Sequence, residues 1–278
     1  MSDRPAYFVF DIESVADAPL VSKVHFGGKV PPEKAIRKYR DELLEKSGGE
    51  SDFIPYTFQL PVSVAIGKVA ADFSLLDVVV LDEPEYRPHE ICSKFWRGWA
   101  AYKMPTLVSF NGRGFDVPLL ELAAFRYGVS IPAWFAMNAK TFDQPRNRYN
   151  TKTHIDLCDI LTNYGAARFN GGLNLAASIL GKPGKMDTQG NMVQDIYDSN
   201  PEDRSEALAR INDYCRCDVL DTYFVFLRTM VVTGSLSLHD EQVLVKKSKD
   251  WLTERAESSP AYAQYLENWG DWSNPWGN

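Results

Sequence analysis

Apolar and polar positions along the chain fall into short runs and helical stripes that alternate as they do in an α/β protein. Tyr7 to Ile12 is a compact apolar run and predicts a buried strand. Residues 17–58 interrupt the pattern: Lys23, Lys29, Lys34, Arg37, Lys38 and Arg40 come first, then Gly48-Gly49 and a polar stretch to Asp52. This reads as an insertion carrying one short helix over Pro32 to Lys46 and expected to be mobile at Ser47 to Ser51. Val62 to Ala70 and Leu75 to Leu81 predict two strands joined at Ala71-Asp72-Phe73, a hairpin laid on the first strand. Pro88 to Tyr102 predicts an aromatic-rich helix, and Thr106 to Phe110 a short strand. A turn at Asn111 to Gly114 then leads into a helix from Phe115 to Tyr127.

Residues 138–152 are basic and loop-like, with Lys140, Arg146, Arg148 and Lys152 set against Asp143. His154 to Leu157 predicts another strand, with helices at Cys158 to Tyr164 and Leu173 to Leu180 beyond it. Asn200-Pro201-Glu202-Asp203 has the make-up of a helix start: a capping residue, a proline in the first turn, then acids at the positive end of the dipole. That helix is expected to run to Thr229. Another follows over Leu238 to Glu257, and then a tryptophan-rich tail. The resulting expectation is a single α/β domain over residues 1–278, with an insertion at 17–58 and a helical extension at 236–278. Its mixed five-stranded sheet is flanked by helices.

Composition changes this picture little. Hydrophobic content of 45% and charged content of 24% are those of an ordinary soluble globular protein. A net charge of -7 argues against a protein that coats nucleic acid by bulk electrostatics, while leaving room for an enzyme that handles one strand end. Cys92, Cys158, Cys215 and Cys217 have neither disulfide-framework nor zinc-site spacing and read as reduced thiols. The amino terminus runs at once into an apolar strand without a basic leader, and no apolar run approaches the ~20 residues of a membrane span. A cytoplasmic, soluble chain is the expectation.

The candidate chemistry lies in three frames. Asp11 and Glu13 are two apart on a predicted strand, so both side chains leave one face, unless the strand ends at Phe10 and both acids sit in a solvated loop. Asp116 follows Asn111-Gly112-Arg113-Gly114-Phe115 at a helix start, where a carboxylate is also favoured by the dipole alone. Tyr214 and Asp218 are four apart on a helix and share a face. Asp213 and Asp221 on that helix read as solvated. Asp156 reads as a hydrogen-bonding neighbour of the site or a helix cap, His154 as structural, and Trp96, Trp99 and Trp134 as core. Trp269, Trp272 and Trp276 are set to cover an apolar surface or a partner.

Taken in order, Asp-x-Glu, Asn-x-x-x-Phe-Asp and Tyr-x-x-x-Asp resemble the DEDDy group of 3′–5′ exonucleases within the ribonuclease-H-like fold. The likeness is to the proofreading domains of family-B DNA polymerases and to stand-alone bacterial proteins predicted to be exonucleases related to them. It spans roughly residues 5–230. The related DEDDh group would place a histidine at position 213, where this chain has Asp213.

The resemblance implies that Asp11, Glu13, Asp116 and Asp218 hold two divalent ions, Mg or Mn, and that Tyr214 orients the attacking water. Asn111 would support its frame or touch the terminal nucleotide. The expected partner is the 3′ end of a single-stranded nucleic acid, DNA favoured over RNA. Arg146 and Arg148 in the basic loop, with Lys182 and Lys185 in Gly181-Lys182-Pro183-Gly184-Lys185, are candidates for phosphate contacts. Two alternatives stay open: an exoribonuclease of the same chemistry, and an inactive nucleic-acid-binding module on the same fold.

Overall fold

The apolar run near the amino terminus forms strand β1, Tyr7–Ala16, which continues well past the end of its continuous apolar stretch. In this computed structural model residues 4–184, 192–198 and 204–277 are described. After β1 come a short helix α1 (Ala18–Leu20), a π-helical turn (Val21–His25) and α2 (Pro32–Lys46). Strands β2 (Gln59–Val69) and β3 (Leu75–Val80) form the expected hairpin. Then follow α3 (Pro88–Ala101), β4 (Thr106–Ser109), α4 (Asp116–Tyr127), α5 (Pro132–Phe135), β5 (His154–Asp156), α6 (Leu157–Leu161) and α7 (Gly172–Ile179). The chain continues through α8 (Val193–Tyr197), α9 (Arg204–Val232), α10 (Leu238–Ala256) and α11 (Pro260–Glu267). The expected helix start at 200–203 lies outside the described residues.

The sheet has five strands in the order β3-β2-β1-β4-β5. β1 pairs antiparallel with β2 and parallel with β4, and β4 pairs parallel with β5, so the sheet is mixed, as expected. Side chains of β1 alternate between two cores. Phe8, Phe10 and Ile12 pack with Phe95, Trp96 and Trp99 of α3, Leu120 of α4 and Trp134 of α5. Tyr7 and Val9 face the other way, toward Cys215, Val219 and Phe226 of α9. Gly67, opposite Val9 on β2, lets α9 come close: a Cβ there would sit 3.1 Å from the Val219 side chain.

α9 is the axis of the second layer. Its second half, Val219 to Leu227, is apolar on nearly every side, the mark of a helix covered all round. The sheet covers one side, and α7, α10 and α11 pack on it as well. Two expectations are corrected here. Asp221 is not solvated: it is fully buried, and Tyr265 of α11 donates to its Oδ1 at 2.6 Å. Burial pushes its carboxyl up to about 7. Asp213 is half-buried and paired with Arg216 at 2.6 Å. The reason is geometric, since a helix enclosed on both sides leaves its polar residues no face to water.

Residues 17–58 hold a small core of their own, in which Val21, Ala35, Tyr39 and Ile54 pack with Phe58. Among the described residues no helix is long and apolar enough to cross a membrane.

Candidate active site

Asp11 and Glu13 both lie within β1, in register with Ala65 and Ser63 of β2, so neither is in a loop. A shift in register between Glu13 and Ser14 follows directly, and such irregularities recur where a strand re-aims a side chain beside a site. As odd-numbered positions they face α9, where Val9 gives way from apolar packing to carboxylates. Asp218 of α9 meets them there: one carboxylate oxygen from each of Asp11, Glu13 and Asp218 lies within 4.8 Å of the others.

Asp116 enters from the opposite side of the sheet's rim, at the first turn of α4. It is 6 % exposed and receives hydrogen bonds from its own backbone amide and that of Ile12. Its charge adds to the repulsion felt by Asp11 and Glu13. The structure thus brings all four predicted acids together.

The turn that aims Asp116 is built around Asp156. The Asp156 carboxylate accepts from the Asn111 and Arg113 amides at 2.9 and 2.8 Å, and from the Cys158 amide at 3.0 Å as the N-cap of α6. One side chain therefore ties the end of β5 to the turn after β4. Asn111 takes a left-handed conformation (φ 62°) to begin that turn, and its carbonyl accepts from the Gly114 amide at 3.0 Å. At Gly112 a Cβ would collide with the Ser109 side chain and lie 3.3 Å from the Asp116 carboxylate, so the turn requires glycine there. Behind it Ser109 Oγ and His154 Nε2 are 2.7 Å apart and fully enclosed. Burial and the Arg113 charge hold His154 well below the usual imidazole range, hence neutral.

The electrostatics are those of like charges forced together. Desolvation pushes the carboxyls of Asp11 and Glu13 well above the usual range, and their acidic neighbours, Asp218 foremost, push them further. Desolvation likewise raises Asp116 to about 7. Tyr214 is buried one turn before Asp218 and hydrogen-bonds to it. Burial, then the charges of Asp218, Glu13 and Asp11, drive its phenol far above the ordinary tyrosine range. The charges acting on Glu13 are all of its own sign, and the donor set is all oxygen. Both facts fit hard divalent cations such as magnesium or manganese, which would relieve the repulsion.

Sequence reasoning missed Cys215. Its thiol donates to the Asp11 carbonyl (3.3 Å) and lies 3.8 Å from the Asp11 carboxylate, so it buttresses the first acid from α9. Its position between Tyr214 and Asp218 was the available signal. Phe53 was missed too. This exposed residue packs against Phe115, the neighbour of Asp116, with ring centroids 5.7 Å apart.

The basic candidates are placed less directly. Arg146 makes two bonds to Glu121, at 3.0 and 2.7 Å, and lies over the Phe135 ring. Arg148 pairs with Asp159 at 3.2 Å. Lys182 is only 5 % exposed and donates to the carbonyls of Leu180 and Gly270 at 3.3 and 3.1 Å, bonds a phosphate contact would require it to leave. Lys185 lies outside the described residues.

With this geometry in place, the comparison with known families is decisive. Residues 51–269 match the family described as predicted 3′–5′ exonucleases related to the exonuclease domain of PolB. The chain belongs to this family. The match begins after β1, so Asp116, Tyr214 and Asp218 lie inside it while Asp11 and Glu13 lie before it. It also ends later than the resemblance read from the motifs, taking in α10 and α11. No curated protein matches the chain. The mixed sheet flanked by helices is the ribonuclease-H-like arrangement expected of such an exonuclease.

Proposed function

We propose that this PolB-related exonuclease is a DEDDy-type enzyme that removes nucleotides one at a time from the 3′ end of single-stranded DNA, releasing nucleoside 5′-monophosphates. The observation that carries this reading is the convergence of Asp11, Glu13 and Asp218 within 4.8 Å, with Asp116 and Tyr214 alongside. Buried carboxylates do not gather at such range without a compensating charge.

Asp11, Glu13, Asp116 and Asp218 would hold two divalent ions, Mg or Mn. When bound, such ions acidify water and stabilise the charge on the attacking and leaving oxygens. The chain's own groups do the rest. Tyr214, with its phenol held far above neutrality, stays protonated, so it orients the water by hydrogen bonding rather than acting as a base. Cys215 and the Ile12 amide keep Asp11 and Asp116 in place. Asn111 presents its side chain beside the terminal nucleotide, and the Phe53–Phe115 pair offers an aromatic wall for its base. Arg146 and Arg148 contact phosphates by partly exchanging Glu121 and Asp159 for the strand.

The deciding experiment follows 5′-labelled single-stranded DNA and RNA with Mg, Mn or chelator, beside Asp218→Ala. A stepwise 3′ ladder on DNA that needs the metal and vanishes in the variant is expected. A ladder on RNA alone would reassign the substrate, and binding without digestion of either would leave a nucleic-acid-binding module.

A further inference from the structure

A buried polar contact ties the strand irregularity beside Glu13 to α9. Glu13 pairs with Ser63, but the next residue, Ser14, pairs with Pro61, so Val62 is an extra residue on β2. Such a bulge bends its strand and re-aims the side chains around it. Val62 is fully buried and packs in one cluster with Val15, Tyr86, Ile211 and Tyr214, while Ser63 points with Glu13 toward α9. There the Ser63 hydroxyl donates to Asn212 Oδ1 at 2.6 Å, and both residues are completely enclosed. Ser63 also neighbours the Cys215 thiol, which itself donates to the Asp11 carbonyl at 3.3 Å.

Packing alone does not account for an asparagine at this point of α9. Its Nδ2 reaches toward the Tyr86 phenol but has no partner within hydrogen-bond distance among the described residues. A half-satisfied buried amide costs stability, and a leucine would fill a similar volume without that cost. What asparagine adds is direction. The nearby contacts of α9 with the sheet are apolar, Val219 lying against Gly67 in the same cluster as Val9, and such contacts have no preferred direction. A hydrogen bond holds its donor and acceptor to a narrow range of distance and angle. Asn212 lies three residues before Cys215 and six before Asp218, so whatever fixes its height along the helix axis fixes theirs and that of Tyr214 as well.

We infer that Ser63 and Asn212 are positioning residues: their bond sets the height of α9 on the sheet, so that Asp218 meets Asp11 and Glu13 within ion-binding range and Tyr214 stands one turn away. Both act through the elements that carry the acids, Ser63 through the register of β2 with β1 and Asn212 through α9. This role rests on the reading of the carboxylates as the seat of a metal-dependent exonuclease.

The test removes the bond from either side, with Ser63→Ala and Asn212→Leu, and compares the loss with that in Ser248→Ala. Ser248 is also buried and donates to the Tyr223 hydroxyl at 3.3 Å, but it belongs to α10, outside the site. Three quantities are read on the full chain: the melting midpoint, manganese affinity by electron paramagnetic resonance without nucleic acid, and single-turnover digestion of 5′-labelled single-stranded DNA over a range of concentrations. Ser63→Ala and Asn212→Leu should each bind manganese about tenfold or more weakly and digest more slowly by a similar factor, with the half-saturating DNA concentration within about twofold of wild type. The double variant should lose no more than the worse single one, because both remove the same bond. Ser248→Ala should lower the melting midpoint and keep wild-type manganese affinity and rate. Wild-type affinity and rate in either site variant would overturn the role, as would additive losses in the double variant or an equal loss in Ser248→Ala. A wild type that neither binds manganese nor digests DNA would sink the exonuclease reading itself, and the positioning role with it.

Discussion

At the scale of single residues, the site is defined by what surrounds each carboxylate and phenol. Tyr214 has a dedicated role only if its hydroxyl matters apart from its ring. Tyr214→Phe keeps the packing and is expected to lower kcat by roughly tenfold to a hundredfold, the worth of one hydrogen bond to a charged group, with KM little changed. Single-turnover digestion of a labelled oligonucleotide measures it.

His154 allows a prediction about pH. Its folded pKa lies well below the ordinary value of about 6.5, so it is neutral in the fold and takes up a proton on unfolding below that pH. Its contribution to stability is therefore present above about 6.5 and lost as pH falls toward the folded pKa, by at most about 1.4 kcal/mol per pH unit. Asp116 and Asp221, both raised to about 7, act in the opposite sense over part of that range, because the fold holds their protons more tightly. Comparing wild type with His154→Gln in denaturant melts at pH 5 to 8 isolates the histidine: the variant should lose less stability on acidification.

At the scale of elements, the turn between β4 and α4 shows how a short segment is made rigid enough to aim a ligand. Asp156 satisfies amides from the turn and from the start of α6 at once. Asp156→Ala is expected to cost about 2–3 kcal/mol in chemical denaturation and to reduce nuclease activity as well, because the Asp116 turn loses its anchor. A loss of stability with activity fully retained would mean that Asp116 is aimed by α4 alone. The sequence made Asp156 legible as a cap or hydrogen-bonding neighbour. It could not reveal the tie to Asn111 and Arg113, since those amides come from a strand end some 45 residues earlier.

At the scale of the whole molecule, α10, α11 and the tail are part of the core rather than an appendage. Tyr265 and Leu252 are fully buried beside Tyr223 and Phe224 of α9, and Tyr265 donates to one oxygen of Asp221. A chain ending at residue 236 would expose that layer and take the Tyr265 donor from the buried Asp221 carboxyl, so it should lose its cooperative thermal transition, as followed by near-ultraviolet circular dichroism.

Local pattern was enough to place the strands of the sheet, the longer helices and the order of the three acidic frames, because strand alternation, capping residues and i,i+4 spacing are properties of neighbouring residues. The helix over Pro32–Lys46 and the hairpin after it are cases in point. The short helices α5, α8 and α11 escaped because a few residues carry too little periodicity, although Pro132 and Pro260 mark two of their starts. What only the tertiary structure decided was burial and convergence. It placed Asp11 and Glu13 within the strand, buried Asp221, paired Arg146 and Arg148, enclosed Lys182 and set Cys215 against Asp11. Each of these depends on a partner far away in the chain, and whether a charge is solvated, paired or repelled is a property of the space around it.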